Sequence, residues 1–329
     1  ERYTDAPLLH LLNMADVLRG AGEAALPMRK KVARFVTETH AADAAKAKDV
    51  SAQYWYVAVL RLRDVLTDEQ CQRWIAPIRA AYLPDADSAA RLAWKDFGFL
   101  RGALSQLGDE TAPALEAQRV VNTDDWKKVP TRELVLLTHR LVAVGEAAQA
   151  ARQRVREHIS AAYAGRAEAV RSAGLQAWGV FAVHLGPEAA QATQAAWRSA
   201  LRGAYAADGE ALAGLSRADY SRLRMALISL ADEDVPALTA QWTGANASWT
   251  AAPASDLIVL ARDVFAAGPA GAAVREKLAR HITKTYIADT KKTQDFQVAQ
   301  WEALCRGLRE QLDEATKARW AQRLRESYL

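Results

Sequence analysis

Apolar residues in this chain recur at spacings of three and four and rarely alternate. Phe97, Leu100, Ala103, Leu104 and Leu107 set out one such stretch behind Asp96, and Tyr220, Leu223, Ala226, Leu227 and Leu230 repeat it behind Asp219. That period puts the apolar side chains on one face of an amphipathic helix. A second pattern runs through Trp74, Ile78, Ala81 and Tyr82, then Trp197, Leu201, Ala204 and Tyr205, then Trp320, Leu324, Ser327 and Tyr328. These residues share a face of a partner helix. The first type of helix is predicted to stop at Gly108-Asp109-Glu110 and Ala231-Asp232-Glu233, with Pro113 and Pro236 in the first turn of the next helix. No sustained β-branched alternation lies between turn dipeptides, so no strand is predicted.

The two patterns belong to an internal repeat. A shift of 123 residues brings Trp55 onto Trp178 and Trp301, Trp74 onto Trp197 and Trp320, Tyr82 onto Tyr205 and Tyr328, and Pro7 onto Pro130 and Pro253. A shorter period lies inside it: a second aromatic follows the first by 15 residues in His40/Trp55, Tyr82/Phe97, Tyr163/Trp178, Tyr205/Tyr220 and Tyr286/Trp301. The elementary unit is then a helical hairpin of about 41 residues, in the length range of HEAT and armadillo repeats and longer than a tetratricopeptide repeat. The likeness is one of length and layout, and no family is identified from these residues.

The expected fold is all-α, an α-solenoid of about eight such hairpins. It forms a single helical-repeat domain over residues 1–329, in blocks 1–123, 124–246 and 247–329, the last one truncated. The third hairpin of a block differs from the others. It opens with Trp126 ahead of Pro130, or Trp249 ahead of Pro253, and continues as Leu134-Val135-Leu136-Leu137 or Leu257-Ile258-Val259-Leu260. Four consecutive apolar residues predict burial on more than one side of the helix.

Composition adds bounds. Half of the residues are apolar and 25% charged, which is globular composition and excludes disorder. Net charge is +4. Basic clusters are short, Arg29-Lys30-Lys31 and Lys291-Lys292, where a nucleic-acid binder shows a concentrated stripe. The two cysteines, Cys71 and Cys305, occupy unrelated places in the repeat, which excludes a disulfide framework and a cysteine-based zinc site. No apolar run reaches the roughly 20 residues of a membrane span. The first residue is Glu1 and not Met, so an upstream segment is expected, with an export signal among the options. Exported and cytoplasmic locations both stay open.

Chemistry-bearing residues are sparse. Of the six histidines only His158 and His281 are equivalent, and Phe35 takes the same place in the first block, which marks a packing position. Converging metal ligands, a nucleophile elbow and a phosphate-cradling glycine loop are all missing, so no catalytic residue, metal or cofactor is expected. Asp124-Asp125 and Asp232-Glu233-Asp234 read as helix-end carboxylates. Arginines keep register as Arg79, Arg202 and Arg325, as Arg29, Arg152 and Arg275, and as Arg101 with Arg224. A row of guanidinium groups could bind carboxylate or phosphate. Recurring Asp85/Asp208, Asp96/Asp219 and Asp109/Asp232 make ladders of ion pairs the simpler reading.

The functional expectation is a non-catalytic scaffold or adaptor that binds a protein or peptide on an extended surface. Trp126, Trp249, Arg79, Arg202 and Arg325 are the candidate contact residues. One alternative is a closed α/α ring acting as an enzyme or a small-molecule or glycan binder, with an acidic and aromatic centre. Another is backbone-directed nucleic-acid binding through the arginine rows, which the mild charge disfavours.

Overall fold

The computed structural model describes residues 8–85 and 87–328, and among them the chain is helical throughout, with no strand. They group into two compact units that divide between His158 and Ile159. The first holds α1 (Leu8–Gly20), α2 (Leu26–Thr39), α3 (Ala44–Lys48), α4 (Ala52–Leu62), α5 (Asp68–Tyr82), α6 (Ser88–Arg91), α7 (Trp94–Leu107), α8 (Ala112–Asn122) and α9 (Thr131–Ala143). The division falls within α10 (Gln149–Tyr163). The second unit continues with α11 (Ala167–Leu185), α12 (Gln191–Tyr205), α13 (Gly209–Ala213), α14 (Arg217–Ser229), α15 (Val235–Ala245) and α16 (Ala254–Ala266). It ends with α17 (Ala272–Ile282), α18 (Thr290–Thr293), α19 (Val298–Leu308) and α20 (Glu314–Tyr328). No helix among the described residues is long and apolar enough to cross a membrane.

The tryptophans in register are core. Trp55 and Trp74 meet edge to face with ring centroids 5.6 Å apart, Trp178 and Trp197 at 5.5 Å, and Trp301 and Trp320 at 5.7 Å. The pairs join α4 to α5, α11 to α12 and α19 to α20, where large rings fill space and edge-to-face contact adds to area burial. The polar edge of the second ring has the same partner type each time. Trp74 Nε1 donates to Thr37 Oγ1 at 2.8 Å, Trp197 to Ser160 Oγ at 2.9 Å and Trp320 to Thr283 Oγ1 at 2.9 Å. Pro7, the first of the three prolines in register, lies outside the described residues.

Short helices interrupt the expected plain hairpins. Asp43 caps α3 by accepting from Lys46 N, Asp208 caps α13 by accepting from Ala211 N, and Asp289 caps α18 by accepting from Lys291 N. Aspartate in an extended conformation ahead of a helix satisfies one of its orphan N–H groups. The counterpart of Asp43 and Asp289 in the middle block is Arg166, which cannot accept, and that of the helix-capping Ser51 is Gly174. There the separate short helix merges into α11, which is broken only at Gly174, with φ 79° and ψ 153°. Only glycine adopts that backbone freely.

The four-residue apolar runs are not buried on several sides. Leu134 and Leu137 face the core, and Leu136 is 41% exposed; Leu257 and Leu260 are buried, and Val259 is 37% exposed. A helix that packs on one flank turns the third residue of such a run outward whatever its hydropathy.

Candidate functional site

The arginines in register are mostly braces. Arg79 Nε donates to Asp109 Oδ2 at 2.6 Å, and Arg202 Nε donates to Asp232 Oδ2 at 2.8 Å with Nη1 on Asp234 Oδ2 at 2.8 Å. Asp109 and Asp232 also close the turns that carry them, accepting from Thr111 N and Asp234 N at 3.0 Å. Arg202 borders an open polar recess of about 870 Å³, whose arginines, Arg198 and Arg202, are both committed to the chain. Arg29 pairs with Asp64, and Arg152 and Arg275 donate to the carbonyls of Gly145 and Gly268. Of the other recurring aspartates, Asp85 pairs locally with Arg91 and Asp219 with Arg222, while Asp208 caps α13. Arg325, in the last turn of α20, is exposed.

Trp126 and Trp249 are inside. Each sits in a 3-10 turn that folds back under the preceding helix end, so that the indole is 0% and 4% exposed. Trp126 Nε1 donates to the carbonyls of Val120 and Thr123, and Trp249 Nε1 to that of Thr243. His158 and His281 lie edge-on to these rings, with centroids 5.3 and 5.1 Å away. Their inter-helix position suggested access, but a hydrogen-bonded indole against an imidazole is a packing unit, as the place of Phe35 implied.

A different place in the first unit is built unlike its counterpart. Tyr56 of α4, Trp94 and Phe99 of α7, and Pro130 at the start of α9 line a recess of about 510 Å³. Tyr56 and Phe99 meet at 5.7 Å and 37°. The Tyr56 ring is admitted by Gly102, since a Cβ there would stand 2.8 Å from Tyr56 Cε2. Deeper in, the Glu116 carboxylate of α8, with only 3% of its side chain exposed, faces two arginines. Arg140 Nε donates to Glu116 Oε2 at 2.6 Å, whereas Arg101 Nε lies 3.7 Å from the same oxygen, too far for a hydrogen bond. The buried Arg101 Nε has no hydrogen-bond partner. Burial pushes the Arg101 guanidinium below its ordinary value, with Glu116 opposing and the charge of Arg140 adding to the effect.

Behind the recess Arg119 is held through its two Nη groups, its buried Nε having no hydrogen-bond partner either. Its guanidinium lies 4.9 Å from the Phe97 ring centroid and donates to Leu92 O at 2.7 Å and to Ala89 O and Asp125.

Positions 123 residues on carry different side chains. Phe97 and Arg119 become Tyr220 and Trp242, which stack at 4.4 Å and 4°. Glu116 and Arg140 become Thr239 and Asp263; Arg224, the counterpart of Arg101, pairs with Asp263 at 2.9 Å, and Tyr220 donates to Thr239 and Thr239 to Asp263. Burial drives the Tyr220 hydroxyl up, so it stays a neutral donor. Tyr56, Trp94, Phe99 and Gly102 become Gly179, Arg217, Arg222 and Met225. No cluster of three metal-ligating side chains occurs among the described residues. No protein family, curated protein or solved structure matches the chain.

Proposed function

We propose that this chain is a non-catalytic helical-repeat module that recognises a peptide or a peptide segment of a protein partner. Its long helices fall in chain order into eight consecutive pairs: α1/α2, α4/α5, α7/α8, α9/α10, α11/α12, α14/α15, α16/α17 and α19/α20. We read them as the eight hairpins of an α-solenoid, a design that supplies extended surface without a catalytic constellation.

One observation carries the reading. The residues that recur at 123-residue spacing are spent on holding the chain together, through indoles on hydroxyls and guanidinium groups on turn carboxylates. Among the positions where counterparts differ are those of the aromatic recess on the first unit, which has an accessible rim and a charged floor. Apolar walls with a few convergent polar groups, in a volume within the roughly 300–1,000 Å³ of ligand sites, are what binding sites require.

Selection of a random-peptide display library against the folded chain tests this. Convergence on a common sequence that binds as a soluble peptide supports the reading. A selection that converges on nothing overturns it.

A further inference from the structure

We propose that the recess bounded by α4, α7, α8 and α9 receives the C-terminal residue of a peptide, its free carboxylate on Arg101 and its aromatic or large apolar side chain against Tyr56 and Phe99. The inference rests on the recognition reading above and names what is recognised.

The floor is short of one negative charge. Arg101 and Arg140 share the single carboxylate of Glu116, and the rim adds one Lys95 and one Glu133, which offset each other. The counterpart floor is balanced, with one arginine, Arg224, on one carboxylate, Asp263. The fold therefore does not demand the surplus. The Arg101 side chain stays 21% exposed, and a ligand carboxylate on that exposed part supplies the missing negative charge. A single surplus positive charge suits a monoanion. A phosphate dianion would bring one charge too many beside Glu116.

The walls specify what is attached to that carboxylate. Tyr56, Trp94 and Phe99 offer ring surface where the counterpart positions hold Gly179, Arg217 and Arg222. Flat apolar groups bind such rings by offset or edge contact.

The surface beyond the recess indicates a chain and not a lone small acid. Leu60, one turn after Tyr56 on α4, is 45% exposed, and Leu136, between Glu133 and Arg140 on α9, is 41% exposed. Residues three and four apart share a helix face, so both leucines carry the apolar surface outward from the mouth. Residues preceding a peptide C-terminus would cover them. Capture of a terminal carboxylate together with side-chain pockets is an established mode of peptide recognition.

The probe is an N-terminally fluorescein-labelled pentapeptide Gly-Ala-Leu-Ala-Phe, read by fluorescence anisotropy on the full chain, as the free acid and as the C-terminal amide. The acid is expected to bind about tenfold more tightly than the amide, the scale of one charge-assisted contact. Arg101→Gln leaves Glu116 on Arg140, the one-to-one balance of the counterpart floor, and is expected to reduce the acid to the affinity of the amide with helicity unchanged. Tyr56→Ala is expected to weaken acid and amide alike, by about tenfold or more. Equal binding of acid and amide overturns the proposal, as does an acid preference that survives Arg101→Gln. N-acetylphenylalanine binding as tightly as the pentapeptide also overturns it, in favour of a small-acid site. If neither pentapeptide binds while display-selected peptides do, the carboxylate assignment falls and the recognition reading stands.

Discussion

The indole N–H of Trp74 on α5 donates to the hydroxyl of Thr37 on α2 at 2.8 Å, and that hydroxyl passes its own proton to the Ala33 carbonyl at 2.8 Å. The relay ties α2 to α5 through a buried polar contact. Thr37→Val keeps the shape and removes the acceptor, which strands the indole N–H. Urea unfolding is expected to show a loss of about 1–3 kcal/mol, the cost of an unsatisfied buried donor. A loss below a few tenths would show that the relay is idle.

Trp55, Trp178 and Trp301 differ in one respect. Trp55 Nε1 donates to Ala47 O at 3.0 Å and Trp301 Nε1 to Thr293 O at 2.9 Å, whereas the buried Trp178 Nε1 has no partner. In the middle block the joint at Gly174 replaces the separate short helix that supplies this carbonyl elsewhere. Trp178→Phe therefore loses packing but no hydrogen bond. It is expected to destabilise by about 1 kcal/mol less than Trp55→Phe, as measured by chemical denaturation of both variants.

Ala231 holds φ at 55°, and its counterpart Gly108 holds φ at 89°. Both follow a helix that closes with a backbone bond from the next aspartate, Asp232 N to Leu227 O and Asp109 N to Leu104 O, each 3.0 Å. The left-handed conformation costs a residue with a Cβ roughly 1–2 kcal/mol, partly offset by the entropy that glycine loses on folding. Ala231→Gly is expected to stabilise by about 1 kcal/mol and to raise Tm. An unchanged or lower Tm would show that the strain is relieved elsewhere.

Burial lowers the pKa of His281 below its ordinary 6.5. His40 and His158 shift the same way through burial, with Lys46 and Lys127 adding to it. The unfolded chain takes these protons first, so their contribution to stability is present above about pH 6.5 and is lost as the pH falls toward the folded values. Phe35 occupies the counterpart position in the first block, which makes His281→Phe a conservative exchange in shape. Its urea midpoint is expected to fall less than that of the parent between pH 8 and pH 5. Parallel declines would remove His281 from the account.

The helices and their inward faces were legible in the sequence, because a period of three and four leaves a packed helix little choice. Ion pairing between the recurring arginines and aspartates was also legible, but not which meets which: Arg79 takes Asp109 and Arg202 takes Asp232. Trp126 and Trp249 were not, since burial of a turn depends on what closes over it, here His158 and His281 from more than 30 residues along the chain. The short helices left a trace that periodicity misses, the aspartates Asp43, Asp208 and Asp289 standing before runs too brief to show a face. The recess could have been found by asking where counterparts exchange charge or bulk together. Glu116/Arg140 against Thr239/Asp263 is such an exchange.

Tyr56 and Gly102 cannot be altered independently. With Tyr56 in place, any side chain at 102 collides with its ring, and with glycine at both positions the wall has a gap; the counterparts are Gly179, where a Cβ would meet open space, and Met225, which is 47% exposed. Carrying the ring wall into the second unit thus takes Gly179→Tyr with Met225→Gly, and rings in place of Arg217 and Arg222 as well.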